Sequence, residues 1–336
     1  MRDALETIVG GGCLDVSTAR AVMDVVMEGS ATPAQIGGLL TALRTRGETV
    51  DELAGMVLSM RDHATQVELS PGAVDTCGTG GDGSNTFNIS TAAAVVAAAA
   101  GCRVAKHGNR AQSSRCGSAD VLEELGVRVV LDAAGVRRCV DEAQIGFIFA
   151  PAFHPAMRHA AAARRELGIR TVFNVLGPLA NPARVRHQAL GVAGNAPVEA
   201  MARVLQLLGH KHALVFTGPG GIDELGLDGV TRGYEVSEAG IAELEVDPQA
   251  LGLRAAPHAA LGGGDATTNA RVILGVLDGE PGPARDVVVL NGAAALVAAD
   301  VAADLADGVQ RCTAAIDSGA GRDTLRALVA VSQAAA

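Results

Sequence analysis

A glycine-rich segment between an apolar stretch and a long helix-forming run constrains the fold more than any other feature of the chain. Residues 75–91 read DTCGTGGDGSNTFNIST, and the alanine- and valine-rich run 92–100 follows. Glycine permits positive φ angles and close backbone approach, so this loop can turn its N–H groups towards an anion. Cap-type side chains at Asn88, Ser90 and Thr91 predict a helix start at about Ser90, whose positive dipole end faces the same place. The combination of strand, glycine loop and helix is typical of phosphate binding.

Two common nucleotide-binding patterns do not fit this loop. Gly78, Gly80 and Gly83 match G-x-G-x-x-G, but the dinucleotide fingerprint also needs a helix that opens at the glycines and an acidic residue about 20 residues later. The chain from Gly83 to Ala119 contains no Asp or Glu, and no Lys-Ser or Lys-Thr follows the glycines as in a P-loop. A flexible turn between strand and helix is the alternative interpretation of the loop alone.

The same acid-free window carries a second polar cluster. A short apolar piece at 103–105 predicts a strand, and residues 106–118 then read KHGNRAQSSRCGS. Because the chain as a whole has a formal net charge of −10, this basic and hydroxyl-rich segment predicts a local positive field for an anionic small molecule. A solvated loop is the alternative.

The beginning of the chain predicts a small bundle of helices. Thr32 followed by Pro33 is typical of a helix start, and apolar residues follow from Ile36 at i, i+3, i+4 and i+7. Thr49 with Glu52 predicts a capping box for the next helix. We expect a helical domain over residues 1–68.

Beyond residue 70, short apolar stretches alternate with helical ones. We predict strands at 127–131, 145–150 and 213–217, and helices at 120–125 and 133–142. Such alternation favours a parallel sheet with helices on both faces. The predicted fold class is therefore α/β: a small all-helical domain plus a larger α/β domain, 70–336, with a mainly parallel central sheet.

Composition excludes several classes of protein. An apolar content of 49% and a charged content of 19% describe a soluble globular protein. The apolar run 92–100 is too short to span a bilayer, and no signal-peptide pattern opens the chain, so we expect no membrane partner. The six cysteines form no C-x-x-C pair, which favours reduced thiols and a cytoplasmic location. The negative charge and 2% aromatic content speak against nucleic-acid binding.

Two pairs of adjacent charged residues, one acidic and one basic, are further candidates for binding sites. Asp223 and Glu224 follow the predicted strand 213–217 and a glycine turn, where open sheets place ligands, and adjacent carboxylates suit magnesium. A solvated acidic turn is the alternative. Arg164 and Arg165 are neighbours on a predicted helix, so at most one of them enters a site while the other is solvated.

Several motifs together closely resemble the anthranilate phosphoribosyltransferase family. They are GTGGD at 78–82, NIST at 88–91, KHGNR at 106–110 and NVLGPLANP at 174–182. The resemblance spans essentially the whole chain, including the helix at 35–47 and the segment 290–296. It implies a nucleoside phosphorylase/phosphoribosyltransferase-like fold in which about 157–176 joins the helical domain and the active site lies between the domains. It also implies transfer of a phosphoribosyl group from phosphoribosyl pyrophosphate to anthranilate, in the second step of tryptophan biosynthesis from chorismate.

The resemblance assigns site residues position by position. The positions that match phosphoribosyl pyrophosphate contacts are Gly78, Gly81, Asp82, Thr86, Asn88, Ile89, Ser90, Thr91, Lys106, His107, Gly108, Asn109, Arg110, Ala111, Gln112, Ser113, Ser114 and Ser118. Gly78, Asn109 and Arg164 match anthranilate contacts, and Ser90, Asp223 and Glu224 match magnesium positions. No residue is assigned as a catalytic acid or base; Lys106 and His107 are expected as electrostatic and polar contacts.

The resemblance further implies two Mg²⁺ ions per monomer and a homodimer. The chain departs from the family pattern at Ala111-Gln112 and Arg115-Cys116, which bears on the details of phosphate contacts rather than on the reaction. A pyrimidine nucleoside phosphorylase of similar architecture and a nucleic-acid-binding member of the same fold are the alternatives. Asp82 and the KHGN wording at 106–109 speak against the former.

Overall fold

The computed structural model describes residues 1–111, 115–194 and 196–335. The helices before the first strand are α1 (Arg2–Val9), α2 (Val16–Met27), α3 (Pro33–Arg46) and α4 (Val50–Asp62). The strands are β1 (Ala73–Gly78), β2 (Arg103–Gly108), β3 (Ile145–Phe149), β4 (His187–Gly191), β5 (His212–Thr217), β6 (Thr231–Ser237) and β7 (Gly240–Val246). The remaining helices are α5 (Ile89–Ala99), α6 (Ser118–Glu124), α7 (Ala133–Ala143), α8 (Ala150–Phe153), α9 (Arg158–Leu167), α10 (Phe173–Leu179), α11 (Val198–Leu207), α12 (Ala266–Leu277), α13 (Pro283–Ala298), α14 (Leu305–Asp317) and α15 (Ala320–Ala334).

The strands form one sheet in the order β3-β2-β1-β4-β5-β6-β7. The first five strands in this order run parallel, and β6 and β7 complete the sheet as antiparallel neighbours. The carboxyl ends of the five parallel strands therefore meet at one edge, where open sheets place ligands. The predicted fold class, a small helical part followed by an α/β domain with a mainly parallel sheet, is confirmed.

Local signals in the sequence set the first helices. Thr32 and Gln35 form a capping box at the start of α3, and Thr49 and Glu52 form the predicted one at the start of α4. The apolar face that begins at Ile36 is buried along α3. In both helices the caps satisfy N–H groups that the first turn leaves without partners.

Two apolar cores lie on opposite faces of the sheet. Alternation along β5 shows the division: Leu214 and Phe216 belong to the core that contains α5 and α13, whereas Ala213 and Val215 belong to the core that contains α11 and the N-terminal helices. The second core also includes the buried apolar residues of α9 and α10. The helical part is thus packed on the sheet next to the strands that carry the ligand edge.

The strand predicted at 127–131 is wrong. The apolar residues that suggested a strand do pack into the core in part, since Val127 and Val129 are buried while Val130 is exposed. The segment pairs with no strand in the described chain, because β3 takes the edge position beside β2. Its Arg128 N–H instead donates to Oγ of Ser332 on α15 (3.1 Å).

No helix in the described ranges combines the length and the apolar character that crossing a bilayer requires.

Buried His210 is expected to make the fold sensitive to acid. Burial lowers its pKa to about 3, and its Nε2 has no partner in the described structure. The His210 ring takes up a proton near pH 6.5 in the unfolded chain but not in the folded one. The free energy of unfolding is therefore unaffected by this residue above pH 6.5 and decreases as the pH falls below it. Replacing His210 with Gln should reduce the loss of unfolding free energy between pH 7 and pH 5 by about 2 kcal/mol. Urea denaturation of both proteins at the two pH values measures this, and equal losses would contradict it.

Candidate active site

Glycines end three of the parallel strands, and two of them make room for Asp223. A Cβ atom on Gly78 would overlap the Asp223 carboxylate, and one on Gly191 would overlap the Asp223 main chain. At the end of β2, a Cβ on Gly108 would overlap Oγ of Ser118. The turn that carries Asp223 can therefore lie directly over the ends of β1 and β4, and the start of α6 directly over the end of β2.

Asp223 is bonded to the glycine loop that follows β1. The N–H of Gly80 donates to Asp223 Oδ2 (2.6 Å), and the Asp223 N–H donates to Asp82 Oδ2 (3.4 Å). Asp82 in turn accepts the N–H of Ser84 through Oδ1 (2.9 Å). The loop and the acidic turn, 143 residues apart at Gly80 and Asp223, thus form one hydrogen-bonded unit.

Glu224 lies against the N-terminus of α5. Its Oε1 accepts the N–H of Ser90 (3.0 Å), and Nζ of Lys106 donates to Ser90 Oγ (3.3 Å) and to the carbonyl of Thr76. The Ser90 hydroxyl, the Glu224 carboxylate and the buried Lys106 ammonium group are therefore neighbours. Ser90, Glu224 and Asp223 are the residues predicted at the magnesium positions, and the structure brings all three together.

The start of α5 differs from the prediction in two details. Asn88 occupies the N-cap position, but its side chain does not cap the helix. It donates to the carbonyl of Cys116 (3.1 Å) and accepts from Asn269 (2.9 Å), so it links the two polar segments of the site. The Ser90 N–H, expected to face a phosphate, is satisfied by Glu224. The positive end of α5 thus stabilises a carboxylate of the protein itself.

The two adjacent carboxyl groups have strongly perturbed proton affinities. Burial raises the pKa of both Asp223 and Glu224 well above the ordinary range, and the nearby charges of Asp82 and of Asp223, respectively, raise it further. Both residues nevertheless keep some exposed surface. Burial also lowers the pKa of Lys106, an effect that the carboxylate of Asp75 opposes.

A buried polar network holds β2 in place beneath the site. Asp75 Oδ1 accepts the N–H of His107 (3.1 Å), and its Oδ2 accepts from Asn181 Nδ2 (2.8 Å). Desolvation raises the pKa of Asp75 to about 6. The His107 ring lies 5.1 Å from that of His154, burial holds the pKa of His107 well below its usual value, and Nε2 of each ring has no partner in the described structure. His107 is thus a neutral polar group rather than a cation.

The segment after β2 is less positive in the folded chain than the sequence indicates. The guanidinium of Arg110 pairs with Asp120 (3.0 Å) and with Glu123 (2.6 Å), acids that lie just beyond the acid-free window. Asp120 also accepts the N–H groups of Ala111 (3.0 Å) and Gly117 (2.8 Å), so one carboxylate holds both of these residues. The predicted field from Arg110 is therefore largely neutralised by neighbouring carboxylates.

The other predicted contacts fall into three groups. Ser118 Oγ donates to the carbonyl of Asn109 (3.1 Å), and Thr86 Oγ1 lies 3.3 Å from Ser84 Oγ within the glycine loop. Ile89 is buried in the core and Thr91 is buried with its hydroxyl unpartnered in the described structure. Gln112, Ser113 and Ser114, predicted as phosphoribosyl pyrophosphate contacts, lie outside the described residues.

Arg164 and Arg165 differ as expected in their surroundings. Arg165 is exposed, whereas the guanidinium of Arg164 lies 5.0 Å from the ring centre of Phe173, and burial lowers its pKa. The hydrogen bonds and ion pairs of the described chain do not connect Arg164 to Gly78 or Asn109, the other residues predicted for anthranilate. Its place beside the site therefore stays a prediction.

The donor set is suited to a hard divalent cation with few protein ligands. Within the described ranges no group of three or more His, Cys, Asp and Glu side chains is arranged to hold a metal. The carboxylates of Asp223 and Glu224 with the Ser90 hydroxyl nevertheless offer oxygen atoms only, and two carboxylates forced together are stabilised by a cation. Such a site needs further ligands from water or from a phosphate.

The chain matches two family models that together cover nearly all of it. Residues 70–322 match the α/β domain of a glycosyl transferase family, and residues 2–64 match the helical bundle domain of a glycosyl transferase family. The anthranilate phosphoribosyltransferase of Thermomicrobium roseum is 57% identical, with 99% of this chain and 97% of that protein covered. The chain belongs to the anthranilate phosphoribosyltransferase family.

Solved structures of anthranilate phosphoribosyltransferases have the same fold. That of Thermus thermophilus superposes with a TM-score of 0.92 at 42% identity, covering 98% of this chain and 99% of that one. The Saccharomyces cerevisiae anthranilate phosphoribosyltransferase in complex with PRPP and Mg gives a TM-score of 0.89 at 26% identity, covering 99% and 97%. The family membership therefore extends over both the helical part and the α/β part.

Three residues of this anthranilate phosphoribosyltransferase family member shape the site but were not predicted to. Asp75 and Asn181 form the buried network under His107, and Arg170 donates to the carbonyls of Gly80 and Gly81 (2.9 Å each). Asp75 could have been identified from the sequence, because an acidic residue inside an otherwise buried strand needs polar partners. Nothing in the local sequence distinguishes Arg170 from the other arginines near it, Arg164 and Arg165.

Gly78 is expected to tolerate no side chain. In a Gly78→Ala variant the new Cβ would overlap the Asp223 carboxylate, so Asp223 must leave its bond with Gly80. We expect loss of at least about 90% of activity in a variant that is still folded at the assay temperature, and a melting temperature lowered by a few degrees, because the displaced turn is anchored by buried Ile222 and Leu225. Steady-state kinetics with thermal denaturation measures both. Full activity would mean that the position of Asp223 does not matter.

Proposed function

We propose that the protein transfers the phosphoribosyl group of 5-phosphoribosyl 1-pyrophosphate to the amino group of anthranilate. The products are N-(5-phosphoribosyl)anthranilate and pyrophosphate. Family membership supports this reaction, and one observation carries it to these residues. A glycine loop, two carboxylates and the start of α5 converge at the carboxyl ends of β1 and β4, which is where a phosphorylated substrate with a cation would bind.

Phosphoribosyl pyrophosphate is proposed to bind along the glycine loop and the segment after β2. The N–H groups of Gly81 and Asp82 have no protein partner in the described chain, so they are available to phosphate oxygens. Lys106 supplies a positive charge beneath this place, and Asn109 and Ser118 border it from the end of β2. The other residues of the glycine loop and of the segment after β2 that match family contacts to phosphoribosyl pyrophosphate are proposed to contact it here as well.

Magnesium is proposed to bind at Ser90, Asp223 and Glu224. The relative in complex with PRPP and Mg supports binding of this cation by the protein, and the oxygen-only donor set supports these residues as its place. When bound, magnesium stabilises the negative charge of the departing pyrophosphate. Two ions per monomer are part of the proposal.

The protein's own residues orient the substrates and hold charge. The aromatic amine of anthranilate is uncharged at neutral pH, so attack on the anomeric carbon needs no strong base to remove a proton beforehand. Neutral His107 is in keeping with that, because its low pKa makes it a polar contact rather than a proton donor. Holding two anions in alignment supplies much of the rate, up to about 7–11 kcal/mol in well-aligned cases. Arg164 is proposed to hold the carboxylate of anthranilate.

The reaction is tested by following the loss of anthranilate fluorescence with phosphoribosyl pyrophosphate and magnesium present. We expect turnover that requires all three components, and formation of pyrophosphate in equal amount. Cleavage of a pyrimidine nucleoside by phosphate, without anthranilate turnover, would instead favour the nucleoside phosphorylase alternative.

Removing the negative charges of Asp223 and Glu224 should abolish magnesium-dependent turnover. The variant Asp223→Asn with Glu224→Gln keeps side-chain size, and we expect activity to fall at least about 100-fold while the fold is retained, because a Lewis-acid site contributes several kcal/mol. Asp228→Asn, an exposed acid in the same turn, is the matched control and should keep wild-type turnover. Unchanged magnesium dependence in the double variant would disprove the assignment.

Arg164 should distinguish the two substrates. A charge-assisted hydrogen bond is worth about 1.5–3 kcal/mol, so Arg164→Ala should raise the KM for anthranilate about 10–100-fold and that for phosphoribosyl pyrophosphate little. Exposed Arg165 on the same helix serves as the control, and Arg165→Ala should change neither value. An anthranilate defect in the Arg165 variant, or equal damage to both substrates in the Arg164 variant, would place the acceptor elsewhere.

Three further features belong to the proposal and rest on the family membership. They are a helical domain at 1–68 that is joined by part of about 157–176, a homodimer and a cytoplasmic location. The shared core of the N-terminal helices with α9 and α10 supports the first. Light scattering of the purified chain tests the second.

A further inference from the structure

Arg170 reaches from the helical core to the glycine loop. It lies in the connection between α9 and α10, and Val172 and Phe173, two and three residues further along the chain, are buried in the core of the N-terminal helices. Its Nη1 donates to the carbonyls of Gly80 and Gly81, at 2.9 Å each. No ion pair of the described chain includes Arg170, so this cation is committed to two main-chain carbonyls.

These two bonds fix the direction of the next two N–H groups. In a trans peptide the C=O of one residue and the N–H of the next point in opposite directions. With the carbonyls of Gly80 and Gly81 turned towards Arg170, the N–H groups of Gly81 and Asp82 point away from it. Both N–H groups lack a protein partner in the described ranges. Two successive N–H groups on one side of a loop form an anion-binding arrangement.

The loop is held from its other side by Asp223. The Gly80 N–H donates to Asp223 Oδ2 (2.6 Å), while the Gly80 carbonyl accepts from Arg170. One residue of the loop thus connects a proposed magnesium ligand to an arginine of the helical core. Since Gly80 and Gly81 both have φ near +70°, the loop needs such external support to keep one conformation.

We propose that Arg170 is a positioning residue for phosphoribosyl pyrophosphate: by holding the carbonyls of Gly80 and Gly81, it directs the N–H groups of Gly81 and Asp82 at the phosphate. The inference rests on the proposed function of the same site. It assigns Arg170 an indirect role through the main chain, and none in holding anthranilate.

The first test is the affinity for phosphoribosyl pyrophosphate with magnesium, measured by calorimetry without anthranilate. Arg170→Ala should raise the Kd about tenfold or more, while the KM for anthranilate changes less than about twofold and the melting temperature little. An unchanged Kd would overturn the inference, as would a fall in melting temperature with equal damage to both substrates. If the wild-type chain does not bind phosphoribosyl pyrophosphate, the proposed function is wrong. If the wild type binds it and the Arg170→Ala variant binds it with the same Kd, the proposed function stands and the role of Arg170 is wrong.

A pair of glycines in the same loop separates the contact with Arg170 from backbone strain. A Cβ on Gly81 would overlap the Arg170 guanidinium, whereas one on Gly83 would meet nothing within 4 Å. Their φ angles, +70° and +74°, are nearly the same, so alanine is strained equally at both. Gly83→Ala is therefore the matched control for Gly81→Ala.

The second test combines each glycine variant with Arg170→Ala. The factor by which Gly81→Ala weakens phosphoribosyl pyrophosphate binding should fall about tenfold when Arg170 is already Ala, because the displaced contact is no longer there. The factor for Gly83→Ala should be the same in both backgrounds. If the Gly81 factor is also unchanged, Arg170 does not act through this loop.

Discussion

Two main-chain hydrogen bonds to adjacent carboxylates hold the site together. Asp223 accepts the N–H of Gly80 and Glu224 accepts the N–H of Ser90, which joins the turn after β5 to the glycine loop and to the start of α5. β1 and β4 must end in glycine, because the Asp223 turn occupies the space that a side chain on Gly78 or Gly191 would need. The Lys106 ammonium group belongs to the same arrangement, since it donates to the hydroxyl of Ser90.

The electrostatics of the folded site differ from those of its sequence. The segment from Gly83 to Ala119 lacks acids, yet folding brings Asp223 and Glu224 to its first part and places Asp120 and Glu123 against Arg110. Burial raises the pKa of both Asp223 and Glu224, so the ionised pair is disfavoured in the unliganded site and a bound cation would stabilise it. This suits an enzyme with two anionic substrates, because one cation can bind the two carboxylates and a substrate phosphate at the same time.

Local signals made much of the fold predictable, and long-range packing explains what was missed. The helix start at Thr32-Pro33 and the capping box at Thr49 depend on residues within one turn, and they were predicted correctly; the start of α5 was predicted to within one residue, but not the partners of Asn88 and Ser90. The apolar stretch at 127–131 is buried in part but lies beside α15 rather than in the sheet, because pairing in a sheet depends on which strand takes the edge position. The resemblance to a family grouped Ser90, Asp223 and Glu224, and the structure brings them together. Arg170 could not be predicted, because its partners are carbonyls 89 and 90 residues away and carry no side-chain signature.

The central claim is that the carboxylates beside the glycine loop bind phosphoribosyl pyrophosphate through a shared cation. Calorimetric titration of the wild-type chain with phosphoribosyl pyrophosphate, with and without magnesium and in the absence of anthranilate, tests this most directly. Binding should be at least about tenfold tighter with magnesium, since the ion removes the repulsion between the two carboxylates and the pyrophosphate. Equal affinity in both titrations would contradict the account, because Asp223 and Glu224 would then have no part in holding the substrate.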